Sequence, residues 1–303
     1  MNSSWVFLAL ISTIIAALVT ILDSHYMTKR MPDWQAYVVL CDVFTLPLSI
    51  VMLIVIPLPV NIGLRPYFAL LGATCASIVA SVLILQAMKK EHVSRVYPLT
   101  STSPVFVAVF AFLFLGERLS WLQMIGVAAI VIGAVIISLK WDTKSGASLQ
   151  PRPVLVLLGA AVLIAISGTL NKYALEYMSF WNDATLLFFI SSVIFLAVCV
   201  RPSVLRQIAG LKDRNFTIAL AMFNQAVASV AMVLAYSAVQ KGPVALVSAV
   251  TNSKPLFIFA FSMAAGRFAP NFLAPEHLNR KTLFIKAGAT ALVTAGLVAM
   301  IAV

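Results

Sequence analysis

The chain has 303 residues, 62% hydrophobic and only 10% charged, with a formal net charge of +11. A water-soluble domain carries charge on about a quarter of its residues, so this composition excludes one and calls for helices in lipid. The positive balance fits loops on one membrane face better than a nucleic-acid surface, and no nucleic-acid partner is expected.

Apolar runs fall near residues 5–27, 36–59, 66–88, 94–115, 121–139, 154–177, 182–200, 215–238, 243–265 and 283–303. Each approaches the roughly 20 residues that cross a bilayer as a helix. They are numbered here as spans 1 to 10. Span 1 opens at Trp5 with no basic segment before it, which reads as a retained span and not a cleaved signal. Cys41, Cys75 and Cys199 lie inside apolar runs and read as small buried hydrophobes. The most hydrophilic central stretch, 141–153, reads as a linker between a first five-helix repeat (1–140) and a second (154–303).

The two halves are alike. Ser248-Ala-Val-Thr-Asn-Ser-Lys-Pro-Leu-Phe-Ile258 echoes Tyr97-Pro-Leu-Thr-Ser-Thr-Ser-Pro-Val-Phe106, with Pro104 falling on Pro255 at an offset of 151. The same offset carries Val93 onto Val244, Val96 onto Val247 and Lys90 onto Lys241. Tyr26, Met31 and Trp34 fall on Tyr173, Met178 and Trp181 at an offset of 147. Five spans per half force the second copy to enter from the opposite side. The expected fold is therefore an all-α membrane protein of ten transmembrane helices, built as two inverted five-helix repeats. Charge tests this. Connections 1–2, 3–4, 5–6, 7–8 and 9–10 hold sixteen of the 21 basic residues, the other face holds Arg65, Arg118 and Lys241, and Lys172 and Lys254 lie within spans. The bias puts both termini outside.

Lys254 is the strongest chemical signal. It sits midway along span 9, between Ser253 and Pro255. A lysine at the bilayer centre costs about 2.5–3.5 kcal/mol and needs a cavity or a partner, with Asp23 and Asp42 as candidate internal acids. Pro104 and Pro255 are expected to break spans 4 and 9 near the midplane. Lys172, in Thr169-Leu-Asn-Lys-Tyr-Ala174, is either a second cation of the same site or a snorkelling end residue. Two inward cations would want an anion or a zwitterion. Thr100, Ser101, Thr102, Asn252 and Ser253 would then supply hydrogen bonds, and Tyr97 and Tyr236 a shape-selective wall. Asp23, His25 and Asp42 are candidate proton-coupling groups. The polar residues Gln86, Asn224 and Gln225 are ligand contacts or interhelical bonds. Gly126-Val-Ala-Ala-Ile-Val-Ile-Gly133 reads as a helix-packing face. His25, His92 and His277 are scattered, and no metal-binding, nucleophile-elbow or phosphate-loop motif occurs. No catalytic residue, metal or cofactor is expected.

The Pro104 helix, its ending Leu115-Gly-Glu-Arg-Leu119, and the two-glycine helix Gln123-Met-Ile-Gly-Val-Ala-Ala-Ile-Val-Ile-Gly133 resemble, in that order, the ten-helix drug/metabolite transporter superfamily and its EamA-type branch. The second half departs, with Gly266-Arg267 where the Gly-Glu pair would fall and an insertion through Lys281. Asn252-Ser253-Lys254-Pro255 looks like the segment by which nucleotide-sugar and sugar-phosphate carriers hold phosphate, which implies Asn252 and Lys254 as ligand contacts. The resemblance implies a secondary transporter in a bacterial or archaeal cytoplasmic membrane, not an enzyme. It would move a small anionic or zwitterionic metabolite by alternating access around Lys254. A proton-coupled exporter of amino acids or amphipathic cations, run by Asp23 or Asp42, is the alternative. A non-transporting scaffold or lipid-carrier accessory protein is the reading from another class. The expected partners are the solute and the lipid bilayer, with a homodimer left open. Relatives of this type carry both termini in the cytoplasm, against the charge bias, and the orientation stays open between the two.

Overall fold

A computed structural model describes residues 4–29, 31, 33–59, 62–90, 100–138, 151–211, 213–258, 260–261 and 280–301. The described residues form α1 (Ser4–Lys29), α2 (Trp34–Val55), α3 (Arg65–Lys90), α4 (Ser103–Leu115), α5 (Trp121–Ser138), α6 (Pro151–Leu175), α7 (Phe180–Cys199), α8 (Pro202–Ala209), α9 (Arg214–Lys241), α10 (Val244–Thr251) and α11 (Arg280–Ile301). No strand occurs among them. Six helices, α1, α2, α3, α6, α7 and α9, are long and apolar enough to cross a membrane, and four shorter apolar helices accompany them.

Local chemistry sets the helix ends. Asp33 Oδ1 accepts from the Trp34 N–H at 2.8 Å and starts α2. Ser120 and Gln123 form a reciprocal capping box at the start of α5, with bonds of 2.9 and 3.2 Å. Gly116, at φ +67°, closes α4 in the left-handed conformation that glycine adopts without a Cβ penalty. Pro151 opens α6 inside the stretch expected to be linker. A proline suits a first helical position because its missing N–H would have no intrahelical partner there. The short α8, which the sequence pattern did not give, begins on Pro202 and turns Val204 and Ile208 onto Trp34 and Val39 of α2.

The burial pattern inverts that of a soluble protein. Ile54 is 80% exposed, Trp121 81% and Phe284 77%, while Asp183 is 0% and Asn224 1% exposed. Large apolar groups face outward, where acyl chains are their solvent, and polar groups face helices that can bond them. The helix pairs are α1 on α9, α3 on α6, α2 on α7, α5 on α11, α4 on α6 and on α10, and α1 on α10. The α5–α11 seam is tight because small residues line it: a Cβ on Gly133 would stand 2.5 Å from Val293 Cγ2, and one on Gly296 2.8 Å from the Gly126 carbonyl.

Spans 4 and 9 are not continuous helices. Each is interrupted by two turn residues, Ser101-Thr102 in one and Asn252-Ser253 in the other, which are equivalent at the offset of 151. The backbone repeats this equivalence: Val105 N bonds Thr102 O at 3.1 Å, and Leu256 N bonds Ser253 O at 2.9 Å. Pro104 and Pro255 each fall at the second residue of the resumed helix. The break precedes the proline, which costs nothing in a first turn.

Candidate functional site

The site is assembled at the break in span 9. Asp23 lies near the end of α1, Tyr37 in the first turn of α2 and Asn224 in the middle of α9. Asp23 Oδ1 accepts from the Tyr37 hydroxyl and from Asn224 Nδ2, the latter at 2.6 Å. Asn224 Nδ2 also donates to Tyr37 Oη at 3.2 Å. Lys254, the first residue after the break, is half-buried and within electrostatic reach of Asp23. Asn224 Oδ1 is buried with no hydrogen-bond partner among the described residues. Three helices, with bonded residues up to 201 apart in sequence, thus converge on one carboxylate, and the Lys254 amine lies within its electrostatic reach. In a medium of low dielectric such a pair is strongly coupled, and it offers an anion site and a cation site side by side.

The neighbouring polar groups extend along the same helices. Gln225 Nε2 donates to Thr45 Oγ1 at 3.0 Å, joining α9 to α2. Ser192 Oγ donates to Asp42 Oδ1 at 2.8 Å, joining α7 to α2. Asp42 is thereby paired with a hydroxyl and is absent from the Asp23–Tyr37–Asn224 bonds. The sequence pattern had singled out Asp23, Asn224 and Gln225, but it missed Tyr37, which only the fold of α2 against α1 brings to Asp23.

At the break itself, the candidate hydrogen-bonding groups turn back on their own helix. Asn252 Nδ2 donates to Ser248 O at 2.9 Å, and Ser253 Oγ, fully buried, to Val250 O at 2.6 Å. Thr251 Oγ1 also reaches Ser248 O, at 3.0 Å. These bonds satisfy carbonyls left over where the helix ends. In span 4, Ser101 and Thr102 form the equivalent turn, with Ser101 buried and Thr100 and Thr102 half-buried. Tyr97 lies outside the described residues, and so does the side chain of His25.

Lys172 is somewhere else. Its Nζ donates to the carbonyls of Val239 at 2.7 Å and Gly242 at 2.9 Å. It closes the C-terminal end of α9, where the helix dipole favours a cation. Its charged neighbours are Glu117 and Glu176, not Lys254. The expectation of two lysines in one anion site is not met by this geometry, because the end of α9 comes down onto Lys172 and supplies its partners. Glu117, from the Gly-Glu pair, accepts from the Val244 N–H at 3.1 Å and caps α10. Burial pushes its carboxyl above the ordinary 4.5, against the lowering effects of the Val244 N–H and Lys172. Together the two residues clamp the turn between α9 and α10.

Tyr236 stands in a further cluster, beside Asp183. Asp183 is fully buried in the first turn of α7 and accepts from Asn171 Nδ2 at 2.9 Å. Gln86 is exposed on α3.

Known proteins bear on this arrangement. A similar protein from Sinorhizobium sp., described as an uncharacterized transporter in the cobO 3' region, is 30% identical over 148 residues, 46% of this chain and 99% of that one. An uncharacterized protein of Methanocaldococcus jannaschii is 35% identical over 72 residues, 24% of this chain and 52% of that one. A solved structure titled only as the crystal structure of a protein shares the fold at a TM-score of 0.71 and 13% identity, over 99% of this chain and 96% of the other. The profile of the EamA-like transporter family matches residues 3–139 and again 151–274. With its apolar helices, inward polar groups and two profile matches, the chain is a multi-pass integral membrane protein and belongs to the EamA-like transporter family.

Proposed function

We propose that the protein is a secondary transporter of a small zwitterionic metabolite, held at the Asp23–Lys254 pair beside the break in span 9 and moved by alternating access. The observation that carries this reading is the half-buried Asp23 carboxylate, bonded by Tyr37 and Asn224, with the Lys254 amine within its electrostatic reach. A solute with a carboxylate and an ammonium replaces both partners at once. Its carboxylate takes Lys254, and its ammonium takes Asp23 together with Asn224 Oδ1, which otherwise has no donor among the described residues. A purely anionic solute would have to separate Lys254 from Asp23 and leave a buried acid uncompensated, a penalty of several kcal/mol. The pair therefore favours amino-acid-like solutes over simple phosphates.

Two inverted five-helix repeats supply the two states. Four observations support this. The family profile matches twice. The Sinorhizobium relative is about half the length of this chain. The two helix breaks are equivalent in position. The principal helix pairs also correspond when the halves are exchanged, since α1 on α9 matches α6 on α3, and α4 on α6 matches α10 on α1. Rocking one half against the other would open the shared site to each membrane face in turn.

The test is a thermal-shift screen of purified protein against amino acids, other zwitterions and phosphorylated metabolites, followed by counterflow in proteoliposomes. A ligand that binds only the folded state stabilises it. A zwitterion that stabilises and is transported by the wild type, but not by Lys254→Met, is the expected result. Equal transport by Lys254→Met refutes the site.

A further inference from the structure

A second buried polar site lies on the same bundle. α9 carries Asn224 beside Asp23 and, twelve residues further on, Tyr236 beside Asp183, so the two sites stand about 18 Å apart along one helix. Asp183 is 0% exposed. Its Oδ2 accepts from Asn171 Nδ2 at 2.9 Å, while Oδ1 is buried without a hydrogen-bond partner among the described residues. An ionised carboxylate held dry with a bare oxygen is among the costliest arrangements a membrane protein can contain. The other side chains in its surroundings are committed. Gln240 Nε2 bonds the carbonyls of Leu175 and Met178, the Thr185 hydroxyl bonds Trp181 O, and Asn182 Nδ2 bonds Pro57 O.

We propose that Asp183, with Asn171 and Tyr236, forms a proton-binding site distinct from the Asp23–Lys254 pair, and that it carries the coupling proton of transport. The coupling role rests on the transport reading above; the proton site does not. Uptake adds one proton to Oδ1 and takes the side chain from −1 to neutral; release returns that proton to water. A metal cation suits the site less well, because it needs several oxygen ligands, and Asp183 Oδ1 is the one bare buried oxygen here among the described residues. No group of three or more metal-ligating side chains occurs among them either. The titratable and charged groups on the helices packed around α7 are Arg214, Tyr236 and Lys241 on α9, Arg152, Lys172 and Tyr173 on α6 with Glu176 just beyond its end, Arg65, Tyr67, Cys75, Lys89 and Lys90 on α3, and Tyr37, Cys41 and Asp42 on α2. Of these, Tyr236 lies within electrostatic reach of Asp183. Lys172 is bonded to Val239 and Gly242, Tyr67 to Pro59 O, Tyr37 to Asp23 and Asp42 to Ser192. Ser179, the N-cap of α7 one turn away, is exposed, as is Tyr177.

Infrared difference spectra of the full chain in phospholipid vesicles, stepped from mildly acid to mildly alkaline pH, test the site without any substrate. A protonated-carboxyl band that titrates in the wild type is expected to be lost in Asp183→Asn and kept in Asp42→Asn. Tyr236→Phe and Asn171→Ala retain the carboxyl and are expected to shift its titration, which covers the case of an Asp183→Asn protein that does not fold. A band that survives in folded Asp183→Asn overturns the proposal, and so does a titration unmoved by both neighbouring substitutions. With a solute from the thermal-shift screen, Asp183→Asn vesicles are expected to lose accumulation driven by an imposed pH gradient. Accumulation equal to wild type overturns the coupling role. Because the spectra need no solute, failure here is distinguishable from failure of the Lys254 site.

Discussion

Lys172→Met separates a structural lysine from a ligand-binding one. The substitution keeps the aliphatic stem and removes the ammonium that donates to Val239 O at 2.7 Å and Gly242 O at 2.9 Å. A hydrogen bond from a charged donor contributes about 1.5–3 kcal/mol. The side chain is half-buried, so water recovers part of both bonds once the ammonium is gone. Glu117, with one buried oxygen lacking a donor among the described residues, also loses the Lys172 countercharge. Together these give a net loss of about 2–3 kcal/mol. Unfolding by sodium dodecyl sulfate in mixed micelles, followed by circular dichroism, measures it. Ligand affinity of the molecules that remain folded should be unchanged. A variant with stability within about 0.5 kcal/mol of wild type but with ligand binding abolished would refute the reasoning and return Lys172 to the substrate site.

Gly133→Ala and Gly296→Ala should each cost about 1–3 kcal/mol in the same assay, because the new methyl meets Val293 Cγ2 at 2.5 Å or the Gly126 carbonyl at 2.8 Å. Gly288→Ala, with nothing within 4 Å of the added carbon, should stay within about 0.5 kcal/mol of wild type. Glu117 gives a pH dependence. Its folded carboxyl lies above the unfolded value of 4.5, so the stability it contributes is full below that pH and is lost as pH rises through the folded value. Glu117→Gln should flatten that part of the stability–pH curve, read from denaturation midpoints across the acid range; an unaltered slope would contradict the burial argument.

The spans were legible because lipid imposes a simple rule on sequence, long apolar runs broken by polar connections. The breaks were legible because Pro104 and Pro255 sit at equivalent places, although the turns fall just before the prolines and not on them. What the sequence could not give was pairing across distance. Asp23 and Asn224 are polar residues in separate helices until α1 lies along α9. Lys172 read as a possible ligand group because the carbonyls that hold it belong to Val239 and Gly242, 67 and 70 residues away. Asp183 drew no reading as a site residue from the sequence, because it stands at the very start of the run 182–200. Its burial arises from Asn171 on α6 and Tyr236 on α9, which no local pattern announces.

The most direct test of the central claim is a binding isotherm for the zwitterion found by the screen, measured on wild type, Asp23→Asn and Lys254→Met. Each folded variant is predicted to bind at least tenfold more weakly, about 1.4 kcal/mol or more per lost charge. Wild-type affinity in folded Lys254→Met would contradict the account.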